Sequence, residues 1–267
     1  MLPYSGRPSA EAILAALPAL APHARPAVVL APTPGAPGPQ HSSVAGPLLW
    51  PADEPWPHCS LPDARSETGL PPTAVIPVIQ VFRRDAPGDW WPEDTDVFQL
   101  LWCPNVHGNP PAPHAPACPT VEIRWRRTAD LPPIPVPAPA PLRHVDDTYG
   151  FTPRPCLLTP VPLTDFPDPE VLPDDLAEDV DRLAARTADE DGADLISCVA
   201  GCKFGGWPTW QVTGPTEVPC RTCGTPMDLL FTVASDPVTG ITIGRWGDLR
   251  VFACPKGPGH AYEFDVQ

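Results

Sequence analysis

The chain has 267 residues, 45 of them proline, with 17 basic against 32 acidic side chains and a formal net charge of −15. Proline at about three times its usual share excludes a bundle of long helices, while nine Trp, eight Phe and three Tyr exclude a wholly disordered chain. The acidic balance disfavours non-specific binding to nucleic acid or anionic membrane, and no stretch approaches the ~20 apolar residues of a membrane span.

In chain order, residues 9–17 are predicted to form a short helix: Ser9 caps it, Glu11 suits its first turn, and Ile13, Leu14 and Leu17 share one face until Pro18 ends it. The apolar run 10–21 contains Glu11 and Pro18 and has no basic leader at a plausible distance, so it does not read as an export signal, and a cytoplasmic location is expected. Residues 27–31 read as a strand closed by a turn over 32–39; residues 75–82 and 96–102 read as two more. Residues 120–127 alternate, with Val121, Ile123 and Trp125 on one face and Glu122, Arg124 and Arg126 on the other, which predicts a half-buried strand. Residues 132–141 alternate proline with small apolar residues and suit an extended polyproline segment, either linker or edge. The best helix covers 173–187, with acids in its first turn and Leu176, Val180, Leu183 and Ala184 in a stripe. Residues 165–194 hold 12 acidic side chains against Arg182 and Arg186, and this excess reads mainly as the helix's solvated face. Strands over 227–235 and 248–254 follow.

Two parts of the chain resemble each other. Residues 44–50 align with 204–210, so that Trp50 matches Trp210; residues 76–82 correspond to 227–233, and 96–103 to 247–254. Each unit is a glycine turn, an aromatic, a cysteine, a strand, a loop and a strand ending in cysteine. The longer interval in the first copy is expected in loops 66–72 and 88–93. The expected fold is therefore α+β and strand-rich, made of internally duplicated antiparallel sheet units with short peripheral helices and long Pro-rich loops. The segments are 1–41 (helix and strand), 42–127 (first unit), 128–194 (Pro-rich connection and acidic helix) and 195–267 (second unit), together forming one compact domain.

Nine cysteines without an export signal point to thiols or metal ligands rather than disulfides. Cys220, Cys223 and Gly224 form a Cys-x-x-Cys-Gly knuckle, and Cys254 closes a later strand; this is the pattern of a structural zinc site. His260 is the first candidate for the fourth ligand, with Cys202 and Cys198 in reserve, since Gly257 stands where a ribbon would carry another Cys. Buried free thiols are the competing reading, and redox chemistry is the third. The first copy offers His58, Cys59, Cys103 and His107, with His114 and Cys118 beyond, and reads mainly as a buried Cys with loop histidines, Cys103 and His107 being a candidate chelating pair. Asp146 and Asp147 read as solvated loop carboxylates. Trp90 and Trp91 lie between Gly88 and Pro92 and make either a packed flap or a binding patch; Trp50, Trp207 and Trp210 are further candidates for a binding surface. No nucleophile elbow, phosphate loop or His-Glu-x-x-His motif occurs in the sequence.

The block Ser42-Ser43-Val44-Ala45-Gly46-Pro47-Leu48-Leu49-Trp50-Pro51 resembles the opening of the YwqG-like family of bacterial proteins. Lys203-Phe204-Gly205-Gly206-Trp207-Pro208 followed by Cys220, Cys223 and Gly224 resembles its second block. That block, together with Trp246-Gly247-Asp248-Leu249-Arg250-Val251-Phe252-Ala253-Cys254, is similar also to programmed cell death protein 2 and its relatives. The resemblance implies a duplicated strand-rich fold with no assigned activity on the bacterial side. On the eukaryotic side it implies a chaperone for a small-subunit ribosomal protein, with metal-ligand cysteines matching Cys220, Cys223 and Cys254. The expected function is then non-enzymatic protein binding, chaperone-like, toward a basic client. An immunity or antitoxin-like role in a bacterial conflict system is the alternative, and an enzyme or RNA-processing factor with a cysteine-centred site is the second.

Overall fold

The computed structural model describes residues 6–62, 72–114, 118–134, 137–140, 150–187 and 196–267. Asp146, Asp147, the loop 66–71, the end of the acidic run and positions 135, 136 and 141 of the polyproline segment lie outside them; the segment's described residues join neither helix nor strand. Among the described residues no helix is long and apolar enough to cross a membrane.

Helices are few and short. In α1 (Ala10–Ala16) the Ser9 hydroxyl accepts from the Ala12 amide at 3.2 Å, satisfying one orphan donor of the first turn, and Ile13 is buried. In α2 (Asp174–Thr187) Leu176, Val180 and Ala184 are buried, and they pack with Ile13, Leu20, Phe166 and Ile196 into a small core of their own. Asp174, Asp175, Glu178 and Asp181 face solvent on the other side of α2, so its charge is the outer face of an amphipathic helix.

Among the described residues ten strands build one antiparallel sheet. They are β1 (Arg25–Pro34), β2 (Ser43–Val44), β5 (Ile76–Phe82), β6 (Val97–Trp102), β7 (Val121–Arg126), β8 (Cys156–Asp165), β9 (Lys203–Gly205), β10 (Asp228–Ala234), β11 (Asp248–Ala253) and β12 (Glu263–Val266). A separate two-residue ribbon pairs β3 (His58–Cys59) with β4 (Thr73–Ala74). The sheet order is β12-β11-β10-β9-β1-β8-β2-β5-β6-β7. The segments 1–41 and 128–194, expected as lead-in and connection, thus supply the two central strands. The predicted turn at Pro32 and Pro34 belongs to β1, and β8 and β12 were not legible as strands.

The central pair explains where the prolines go. β1 and β8 pair over ten residues, although β1 contains Pro26, Pro32 and Pro34 and β8 contains Pro160 and Pro162. Proline cannot donate to a ladder and is expected only on strand edges. Here β9 covers β1 only at residues 27–29, and β2 covers β8 only at residues 156–157. Among the described residues the outer ladders run on beyond those patches only by single bonds, from Gly206 to the Pro26 carbonyl, from Leu30 to Cys202 and from Leu158 to Ser42, and the prolines other than Pro26 lie where the outer sides are edges.

The sheet curls into a half-barrel, bringing its two ends together. Trp125 of β7 donates from Nε1 to the Tyr262 hydroxyl at 2.7 Å, and the His114 ring stacks on Phe264 of β12 at 4.9 Å between centroids. The main core fills the inside of the curve. Phe98, Phe204 and Phe231 are fully buried and meet pairwise at 4.6 to 5.1 Å, with Trp91 and Trp125 beside them. Each such ring contributes about 2–3 kcal/mol by leaving water.

Candidate metal centre

The knuckle is a tight hairpin before β10. The Gly224 amide donates to the Cys220 carbonyl at 2.7 Å, the Cys220 amide to the Thr225 carbonyl at 2.9 Å, and Pro219 bridges Pro226. Gly224 sits at φ +72, a region that L side chains rarely adopt. β11 ends at Ala253 and delivers Cys254, after which a turn through Gly257 brings His260 back. The donor atoms of Cys220, Cys223, Cys254 and His260 lie within 4.8 Å of one another, two of the cysteines buried, Cys223 exposed and His260 half-buried.

Distances within the group fit a tetrahedral ion. Zn–S bonds of about 2.3 Å and Zn–N of about 2.05 Å imply S···S edges of about 3.8 Å and S···N edges of about 3.6 Å. Cys223 Sγ lies 3.6 Å from Cys254 Sγ; His260 Nδ1 lies 3.5 Å from Cys220 Sγ and 3.1 Å from Cys254 Sγ. Hydrogen bonds from Thr225 hold the Cys223 thiol down at about 6, whereas burial pushes Cys254 up. Met227, Leu229 and Phe252 pack against Cys220 and Cys254, closing the site on its inner side. Three thiols and one imidazole in this arrangement could hold a metal such as zinc.

His260 is therefore the residue brought to the three cysteines, and the reserves are not. Cys202 is buried in the main core, its sulfur accepting from the Ala234 amide at 3.4 Å; burial pushes its thiol to about 12 and that of Cys198 to about 11. In the first half, Cys59, Cys103 and His107 come together within 4.8 Å. His58 instead is exposed, with Nδ1 at 2.8 Å from the Trp56 carbonyl; His114 accepts from the Val121 amide, and Cys118 is buried with its thiol raised to about 11.

A cleft of about 780 Å³ adjoins the metal cluster, and Cys254 and His260 line it. Trp90 and Trp91 are among its walls. Each donates from Nε1 to the Ala86 carbonyl, at 3.1 and 2.7 Å, and each stacks on Phe204; Trp90 is half-buried and faces the cleft, while Trp91 is buried behind it. Trp50 is buried at 1 % exposure, which removes it from any binding surface; its position ahead of the cysteine reflects core packing with Trp56. Trp207 and Trp210 lie outside the cleft, under Arg25 and Arg250 at 3.6 and 4.2 Å. Trp125, Tyr262, Asp89, Glu93 and Asp228 also line the cleft. Trp125 looked like strand core in the sequence, and nothing local marks Tyr262 as its partner 137 residues away. Compared with protein-family models and with curated proteins, the chain shows no match to any.

Proposed function

We propose that this is a non-enzymatic, chaperone-like binding protein made of two copies of one strand unit, with a structural zinc ion in the second. Its cleft holds an extended basic segment of a client protein. The observation that carries the binding reading is the composition of the cleft. Trp90, Trp125 and Tyr262 offer broad aromatic surface, and Asp89 and Glu93 add two carboxylates beside the Asp228–Arg25 ion pair (3.2 Å) and His260. A cationic client in an acidic aromatic groove gains from charge complementarity and from contact with ring faces. The volume is within the range of sites that enclose a ligand of several residues' bulk.

Matching details in the two halves support the duplication. Val44 pairs with Ile79 as Phe204 pairs with Phe231, and Ala45 and Gly205, next in line, take φ values of +48 and +65. A bulge interrupts the ladder between Pro77 and Ile79, and another interrupts it between Leu229 and Phe231. Gln99 donates to the Leu49 carbonyl at 2.7 Å, and Arg250 donates to the Thr209 carbonyl at 2.6 Å. This register matches Pro77 of the first half to Leu229 of the second, one residue away from the alignment of 76–82 with 227–233. In each half the first strand is lent to the other, β1 pairing β9 and β8 pairing β2. The resemblance to YwqG-like proteins and to programmed cell death protein 2 agrees with this reading.

The test is a titration of the full chain with labelled peptides alternating Lys with Pro or Glu with Pro, followed by fluorescence anisotropy. The Lys peptide should bind at least about tenfold more tightly. Asp89→Asn, Glu93→Gln and Asp228→Asn combined should weaken it about tenfold, at roughly 0.5 kcal/mol for each exposed charge. Equal binding of the two peptides, or no effect of the triple variant, would overturn the reading.

A further inference from the structure

We infer that Cys59, Cys103 and His107 form a second metal site, of the open three-ligand kind, in the first half of the chain. The three donor atoms lie within 4.8 Å of one another. Cys59 Sγ is 3.4 Å from His107 Nε2, close to the S···N edge of about 3.6 Å of a tetrahedral zinc site.

The orientation of His107 adds a second, independent observation. Its Nδ1 is 2.8 Å from the Pro62 carbonyl, an atom that can only accept, so Nδ1 carries the proton and Nε2 presents its lone pair. That Nε2 is the nitrogen facing Cys59. A carbonyl fixing the far nitrogen of an imidazole is the usual support of a metal-ligating histidine. The cluster rests on an apolar base, as the first one does. Cys103 is fully buried and Cys59 half-buried, and they pack with Leu48, Trp50, Val75 and Leu101.

What differs is the ligand number. Among the described residues no fourth Cys, His, Asp or Glu joins the group. Thr120 Oγ1 lies 3.5 Å from Cys59 Sγ, a neutral hydroxyl beside the cluster. Sites closed by four protein ligands are structural, while three protein ligands leave one position for water or an added donor. Half-exposed Cys59 supplies the side from which a small nitrogen or sulfur donor, such as an imidazole or a thiolate, would enter. The site is independent of what the cleft binds.

The experiment is metal content and spectroscopy on the full chain. After loading with zinc, the protein should hold two equivalents. Cys223→Ser with His260→Asn should leave one, Cys59→Ser with His107→Asn should leave one, and the combination none. Loaded with cobalt, protein carrying only the first-half site should change its visible spectrum on adding imidazole. Protein carrying only the four-ligand site should not. Should a variant fail to fold, the unmodified chain still decides: zinc should slow alkylation of Cys59 about tenfold, and a chelator should restore it. One equivalent of zinc, lost with Cys223→Ser and His260→Asn, together with Cys59 alkylation indifferent to zinc, would overturn the site. A cobalt spectrum of the first-half site that ignores imidazole would overturn its open position.

Discussion

Replacing Asp165 by Ala should be among the most damaging single changes in the chain. Asp165 ends β8 with no exposed surface, and its carboxylate collects four partners. Oδ2 accepts from Lys203 Nζ at 2.8 Å and from the Trp207 amide at 2.9 Å; Oδ1 accepts from the Val199 amide at 2.8 Å, with Arg7 3.8 Å away. Lys203 is also fully buried, and its other partner is the Trp207 carbonyl at 2.6 Å. Alanine would take from this ammonium its hydrogen-bonded carboxylate, which costs about 3–5 kcal/mol, and would orphan two amides for about 1 kcal/mol or more each. A loss of about 5 kcal/mol is a large part of the 5–15 kcal/mol typical of a whole domain. Gly206 makes the arrangement tighter still: a Cβ there would lie 2.4 Å from Asp165 Oδ2. Urea unfolding of Asp165→Ala, Lys203→Met and the double variant Asp165→Ala/Lys203→Met provides the assay. Removing both charges should cost less than the sum of the single losses, by at least about 2 kcal/mol. A loss under about 1 kcal/mol for Asp165→Ala, or strict additivity, would refute the reasoning.

Three further outcomes are expected. Chelation of metal-loaded protein, or Cys223→Ser, should lower stability on the order of 3 kcal/mol, which a thermal scan would register as about 6–12 °C; no change in Tm on chelation would count against a structural ion. Glu54 receives two hydrogen bonds from Arg126, at 2.7 and 2.8 Å, and these hold its carboxyl below the usual 4.5. A lowered folded value makes the stabilisation complete above about pH 4.5 and removes it as pH falls through that lowered value. Glu54→Gln should therefore cost under about 1 kcal/mol at pH 7 and flatten the loss of stability on acidification, read by unfolding at a series of pH values; an unchanged slope would contradict it. Tyr262→Phe should cost about 1 kcal/mol by breaking its bond with Trp125, and Trp125→Phe more, since the smaller ring also gives up contact with Trp91 and Phe98. The double variant should cost little more than Trp125→Phe alone in urea unfolding, and full additivity would show that the bond contributes nothing.

Much of the local structure was legible because it rests on short-range pattern. The Ser9 cap, the apolar stripe of α2 and the alternation of β7 each announce themselves within a few residues. β8 did not, because Pro160 and Pro162 break the signal of a central strand; only the shortness of β2 makes them tolerable there. The four residues of β12 were too few to register. At the metal centre the Cys-x-x-Cys-Gly spacing and Cys254 were enough to propose a site, and His260 was the first choice among three. Cys59, Cys103 and His107 were less legible, since two of them lie on either side of a loop, a strand pair and 43 intervening residues. Trp50 misled in the other direction. A tryptophan in a motif reads as display, and burial is what it serves.

By itself, the sequence determined that this is a strand-rich, acidic chain with a core and a cysteine knuckle, because composition, alternation and turn residues act over neighbouring positions. Its 45 prolines mark loops and the edges of strands, not disorder of the whole. Only the tertiary structure decided that β1 and β8 are central, which histidine meets the three cysteines, and that Trp125 and Tyr262 close one cleft. Those outcomes depend on pairing between strands more than a hundred residues apart and on the curl that carries one end of the sheet to the other. The chain's local signals do not carry that distance; hydrogen-bond satisfaction and burial in the folded sheet do.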